Sequence, residues 1–223
     1  VTEYKVIGFD LEIAEDLPED GNIDWTIPLG VTCVGLATND ARWWLAGDLL
    51  DVNTENERYA ERIDNVARLV DELERYCQRG YYIVTWNGMG FDFRVMAQDA
   101  KDDVGLYKRI CNLAWNHIDI AFQMRVEKGY MIGLDAAAKG LGVEGKTEGM
   151  SGALAPQMWR QGLEEQVRTF VNADGPTALL SIPYRLPTVR EVTQYCQPAD
   201  TSWMSFQPTP LGAYYGWTME NRP

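Results

Sequence analysis

Alternation of apolar and polar positions marks the first element of this chain. In "YKVIGFDLE", Ile7, Phe9 and Leu11 fall on one face of a strand, and Gly8, Asp10 and Glu12 on the other. An irregular acidic stretch with Pro18, Gly21 and Pro28 follows. Two apolar runs, "GVTCVGLAT" and "ARWWLAG", then flank Asn39-Asp40, an arrangement that predicts a hairpin. Beyond it the period lengthens. Tyr59, Ile63, Val66, Val70, Leu73 and Cys77 recur alternately four and three apart, which predicts one long helix with a single buried stripe. Thr54 and Glu57 supply a capping box at its start and Gly80 a stop at its end.

The second half continues in the same alternating style. "YYIVTW" reads as a strand ended by Asn87-Gly88, and Phe91 to Ala100 has helical character. "HIDIAF" is a short strand or loop, and "GLDAAAKGLG" a helix. "LEEQVRTFVNADGPTALLSI" reads as two helical stretches interrupted at Gly175-Pro176. From Pro183 on, the last 41 residues hold six of the ten prolines, so an extended tail is expected, pinned by Trp203 and Trp217. The expected fold class is α/β, a mixed sheet covered by helices. One domain over 1–183 and a tail over 184–223 packed on it complete the expected organisation.

Composition narrows the function classes. Hydrophobic residues make up 46% of the chain, which argues against disorder. No apolar run is long enough to cross a bilayer and no charged-then-apolar leader opens the sequence, so no membrane partner is expected. Cys33, Cys77, Cys111 and Cys196 are widely spaced and read as reduced, mostly core thiols of a cytoplasmic protein. The net charge of −13 counts against tight duplex binding through Lys and Arg. It does not count against a nuclease whose carboxylates recruit cations to face a phosphate.

Two motifs supply such carboxylates. Asp10 and Glu12, two apart on a strand, point the same way and can share one hard cation. In "NGMGFDF", from Asn87 to Phe93, a strand delivers the chain to a turn, and Asp92 opens a helix with its side chain expected to be free. Taken singly, each also has a plain reading, as a polar strand end and as an acid at a helix N-terminus. Taken together, "FDLE" followed by N-G-x-x-F-D after a later strand resembles the first two motifs of the DEDD exonuclease superfamily, which has a ribonuclease H-like fold. "HIDIAF…GLDAAAKGLGVEGKTEG" is similar to the segment between the second and third motifs in proofreading domains of family B DNA polymerases and in stand-alone exonucleases related to them. The resemblance covers roughly residues 4–180.

The third motif of that branch is Tyr-x-x-x-Asp on a helix, where four residues turn about 400° and bring both side chains to one face. "YCQPAD" places Tyr195 and Asp200 five apart with Pro198 between them, so the pair diverges and the helix breaks. "FVNAD" has the right spacing with Phe170 and Asp174. Asp174 is therefore the expected fourth carboxylate and Asp200 a decoy. Phe170 stands where the family has Tyr, and a phenyl ring can pack but cannot position or deprotonate water.

Two further patterns are set aside. "GLGVEGKT" matches a phosphate-loop spacing at Gly140, Gly145, Lys146 and Thr147, but a helix precedes it and no helix-forming sequence follows, so no nucleotide triphosphate is expected. Gly140 and Gly142 read instead as helix-ending residues. His117, the one histidine, lies well before Asp174 and reads as a strand-end hydrogen-bonder.

The resemblance implies a metal-dependent 3′→5′ exonuclease. It would release nucleoside 5′-monophosphates from single-stranded 3′ ends, DNA more than RNA, through two Mg²⁺ or Mn²⁺ ions held by Asp10, Glu12, Asp92 and Asp174. The backbone at Leu11 and the side chains of Asn87 and Phe91 would hold the terminal nucleotide. The alternative is a nucleic-acid-binding module of the same fold, its chemistry weakened at Phe170.

Overall fold

A computed structural model describes residues 5–38, 42–46, 55–128, 130–142, 152–174 and 179–180. Five strands form one sheet: β1 (Lys5–Ile13), β2 (Val31–Ala37), β3 (Arg42–Ala46), β4 (Tyr81–Thr85) and β5 (Ile118–Asp119). They lie in the order β3-β2-β1-β4-β5. β2 pairs antiparallel with β1 and with β3, the second pairing being the expected hairpin, while β4 runs parallel to β1 and β5 parallel to β4. The sheet is mixed, as its pattern implied, and the fold is ribonuclease H-like α/β.

Seven helices are described: α1 (Glu55–Gln78), α2 (Asp92–Asp99), α3 (Val104–Asn116), α4 (Ile120–Lys128), α5 (Leu134–Gly140), α6 (Ala155–Arg160) and α7 (Glu164–Asp174). Strand β1 shows why they take both faces of the sheet. Its residues Ile7, Phe9, Leu11 and Ile13 join a core with Val66, Val70 and Leu73 of α1, Phe93 and Met96 of α2, and Ile110 and Trp115 of α3. On the other face Val6 meets Val84, Ile118 and Leu179. Beside them Cys33 packs with Ala155 and Trp159 of α6 and Val167 and Val171 of α7. Asp10 and Glu12 share this second face, so the alternation in β1 sends them toward the side that α6 and α7 cover.

Three expectations need correction. Cys77 ends the α1 stripe exposed, not buried, because the helix has reached its last turn there; Cys33 and Cys111 are buried as expected, and all three are free thiols. The sequence reading assigned nothing to residues 104–116, which form α3 and bury Leu106, Ile110, Cys111, Leu113, Ala114 and Trp115. The third correction concerns Asp92 and belongs to the site. Thr54, Asn39-Asp40, Gly175-Pro176, Lys146 and Thr147 lie outside the described residues, as does everything from 181 on, including Tyr195, Asp200, Trp203 and Trp217. Gly140 and Gly142 do end a helix: α5 closes at Gly140, and Gly142 takes a positive φ of 70°. Among the described residues no helix is long and apolar enough to cross a membrane.

Candidate active site

The site begins where β1 meets the turn after β4. Asp10 is partly exposed and Glu12 is buried near a register shift between Glu12 and Ile13. A methyl group placed on Gly152, in the segment leading to α6, would lie 3.9 Å from Glu12 Oε2, so that segment runs beside the carboxylate. Asp92 is the first residue of α2 and is buried. Its side chain is not free, as the sequence reading expected: the backbone N–H of Leu11 donates to Asp92 Oδ1 at 3.3 Å. That bond ties the first motif to the second, because Leu11 sits between Asp10 and Glu12 on the strand.

The electrostatics of this junction are unfavourable for a free carboxylate. Burial pushes the Asp92 carboxyl well above the usual range, and the negative charge of Asp10 pushes it further. The hydrogen bond from Leu11 pulls the other way without reversing the shift, and Asp119 adds a smaller repulsion.

The turn that aims Asp92 is built from backbone constraints. Asn87 takes φ 64°, in the left-handed region that an Asn side chain tolerates. A Cβ on Gly88 would lie 2.3 Å from Thr85 Oγ1 and 2.7 Å from Thr85 Cβ, so only glycine fits there, whereas one on Gly90 would lie 2.7 Å from Asn87 Oδ1 and push that side-chain end aside. The Gly90 and Phe91 N–H groups both donate to the Asn87 carbonyl, at 3.0 and 2.9 Å.

Asp119, which sequence reasoning did not single out, holds this turn from below. Its Oδ1 accepts from Asn87 N at 2.9 Å and from Phe122 N at 3.2 Å, and its Oδ2 accepts from Met89 N at 3.2 Å. One buried side chain therefore caps the start of α4 and fixes the turn that precedes Asp92. Its position directly after the buried Ile118, at the end of a two-residue strand and ahead of a helix, was the available signal. His117, expected to hydrogen-bond at a strand end, does so: it caps α3 with Nδ1 2.6 Å from the Ala114 carbonyl.

On the opposite side α7 packs on the sheet face that carries Asp10 and Glu12. Phe170 is buried in it and Asp174 is its last residue. The spacing read from "FVNAD" is thus helical throughout. The side chain of Asp174 is not among those described. Among the described residues no three His, Cys, Asp or Glu side chains converge closely enough to hold a metal ion. What is brought together is Asp10, Leu11 and Glu12 on the strand with Asp92 docked against them, and Asn87 and Phe91 on the adjoining turn.

A family model described as the RNase_H superfamily matches residues 34–173, well over half of the chain, and the chain belongs to that superfamily. The matched span includes Asp92, Asp119 and Phe170 and leaves out Asp10, Glu12 and Asp174. Among solved structures, the family B DNA polymerase from the hyperthermophilic archaeon Pyrobaculum calidifontis is similar over 99% of this chain at 16% identity, with a TM-score of 0.56. This chain spans 28% of the polymerase chain. No curated protein matches.

Proposed function

We propose that the chain is a metal-dependent 3′→5′ exonuclease that removes nucleoside 5′-monophosphates from single-stranded nucleic-acid ends, with DNA the expected substrate ahead of RNA. The observation that carries the reading is the docking of Asp92 on Leu11, which draws the second-motif carboxylate onto the strand segment between Asp10 and Glu12. Burial and Asp10 make the ionised form of Asp92 unfavourable unless a cation accompanies it. The donor chemistry fits Mg²⁺ or Mn²⁺: Asp10, Glu12, Asp92 and Asp174 are hard oxygen ligands, and Cys33, opposite Glu12 in the sheet register, is packed among apolar side chains of α6 and α7. When bound, two such ions would supply charge for an attacking water and for the leaving oxygen.

The chain's own residues would do the rest. Leu11, through its backbone, and Asn87 and Phe91, on the turn, would hold the terminal nucleotide and set the register of the scissile phosphate. The left-handed Asn87 and the obligatory Gly88 keep that turn in one shape, so the side chains need little ordering on binding. The second reading, a binding module with weakened chemistry, is favoured by one observation: the buried Phe170 brings no hydroxyl to the helix that ends in Asp174.

Digestion of 5′-labelled DNA and RNA oligonucleotides with Mg²⁺, Mn²⁺ or chelator separates the two. The nuclease reading expects a ladder of 3′-shortened products that chelator abolishes, lost in Asp174→Ala and retained in Asp200→Ala. Binding without shortening in either metal would leave the binding module standing. Loss of activity in Asp200→Ala alone would move the third motif to "YCQPAD".

A further inference from the structure

A cleft of about 170 Å³ opens between the loop after β1 and the outer side of α2. Trp25, Arg94, Gln98, Lys101 and Tyr107 line it. The Arg94 guanidinium lies 4.0 Å from the centre of the Trp25 ring, a cation–π contact. The edge of the same ring meets Phe91, with centroids 6.2 Å apart at 72°. Through that contact the cleft adjoins Phe91, the turn residue that the nuclease reading assigns to the terminal nucleotide. Its wall is built in advance: Gln98 Nε2 donates to the carbonyls of Trp25 and Ile27, and Asp24 accepts from both the N–H and the hydroxyl of Thr26.

We propose that this cleft binds one nucleotide of the single strand, inward of the terminal nucleotide, its base against the aromatic wall and its phosphate drawn by Arg94 and Lys101. The inference rests on the nuclease reading above and names a contact that the four carboxylates do not make. Size selects the ligand class. Drug-sized sites run to about 300–1,000 Å³, whereas about 170 Å³ takes a single ring system. Chemistry selects it too, since a nucleotide pairs a flat π face with an anion, and the cleft pairs aromatic rings with two cations. In a chain of net charge −13, the approach of a phosphate strand depends on where such cations sit. Lys101 is exposed and forms no ion pair among the described residues, whereas Arg75, Arg109, Lys139 and Arg160 each face a carboxylate.

The test measures the affinity of the full chain for a 5′-labelled twelve-residue oligothymidylate by fluorescence anisotropy, in chelator so that nothing is cut. Arg94→Ala and Lys101→Glu are each expected to weaken binding about tenfold. Arg75→Glu, the same charge reversal on α1, should change it less than about threefold and controls for net charge. Equal weakening by Arg75→Glu and Lys101→Glu, or none by Arg94→Ala and Lys101→Glu, overturns the cleft. Thymidine 5′-monophosphate provides the second arm: if it binds as tightly as the strand in an Arg94-dependent way, the cleft is a mononucleotide site and the strand reading fails. Digestion in Mg²⁺ is scored separately. Cleavage with cleft variants that bind normally sinks this inference alone, and cleft-dependent binding without cleavage sinks only the nuclease.

Discussion

At the scale of single residues, the site turns on how Asp92 meets its surroundings. Burial and Asp10 raise its carboxyl, so the folded chain keeps that proton at pH values where the unfolded chain has released it. Stability from this group is present at low pH and is lost as pH rises from the unfolded carboxylate value near 4 through the raised folded value. Asp92→Asn keeps an oxygen for the Leu11 N–H and removes the charge. In chelator it should therefore match the wild type near pH 4 and melt higher at neutral pH, by at least about 2 °C. Mn²⁺ should raise the wild-type melting temperature and leave the variant unmoved; a variant that melts lower in chelator would mean the ionised carboxylate is already satisfied by protein groups. Phe170 poses the complementary question. Phe170→Tyr adds one oxygen to a ring that is 4% exposed, so the hydroxyl must find a partner or cost stability. If the ring faces the attacking water, single-turnover cleavage should rise about tenfold, below the 10²–10⁴ typical of general acid–base groups because the proposed metals would already activate water. A fall in melting temperature with no gain in rate would make Phe170 a packing residue only.

Elements explain which parts of this reading were visible in the sequence. Strand β1 packs each face against a different core while keeping its carboxylates on one of them, and α1 buries Val66, Leu69, Val70 and Leu73 along one side, so both periods could be read directly. Helix α3 was missed although it carries its own start signal: Asp103 accepts from Leu106 N at 2.9 Å, an N-cap followed by Leu106, Ile110 and Leu113 at helical spacing. Within the site, Asp10, Glu12 and Asp92 were legible because their spacing carries a face or a turn. Asp119 was not, because its role exists only once β5 has been laid parallel to β4 and its carboxylate comes under Asn87 and Met89. The bond from Leu11 to Asp92 is a tertiary contact across 81 positions and has no local trace. The importance of Asp119 can be tested at its own scale. Asp119→Asn replaces one acceptor oxygen by an amide donor facing backbone N–H groups, so at least one N–H loses its partner at a cost of about 1–3 kcal/mol. Hydrogen exchange should accelerate at Met89 or at Asn87, whichever faces the new amide nitrogen, while the α1 amides keep their protection, and the rate of cleavage should fall with the turn. Unchanged protection at Asn87 and Met89 would remove Asp119 from the positioning of this loop.

Across the whole molecule, charge sets a problem that the fold solves locally. Thirty-three acids against twenty bases give −13, and a nucleic-acid strand approaching that surface is repelled until it reaches the site. A protein that binds through a broad basic face loses affinity steeply with salt, because each neutralised phosphate releases counterions, with a slope of about −0.7 per contact for single strands. In the proposed cleft two such contacts would be made, by Arg94 and Lys101. The logarithm of affinity for a single strand should therefore fall with the logarithm of salt concentration with a slope of only about −1.4. Screening of the overall repulsion acts in the opposite direction and makes the slope shallower still. Lys101→Glu should bring it close to zero or reverse its sign, since the variant keeps the repulsion and loses half of the local attraction. The measurement is anisotropy of a labelled oligothymidylate from about 50 to 200 mM NaCl, with wild type and variant side by side in chelator. A wild-type slope steeper than about −4 would require more than five phosphate contacts, which this cleft does not have, and would move strand binding to a basic surface elsewhere on the chain.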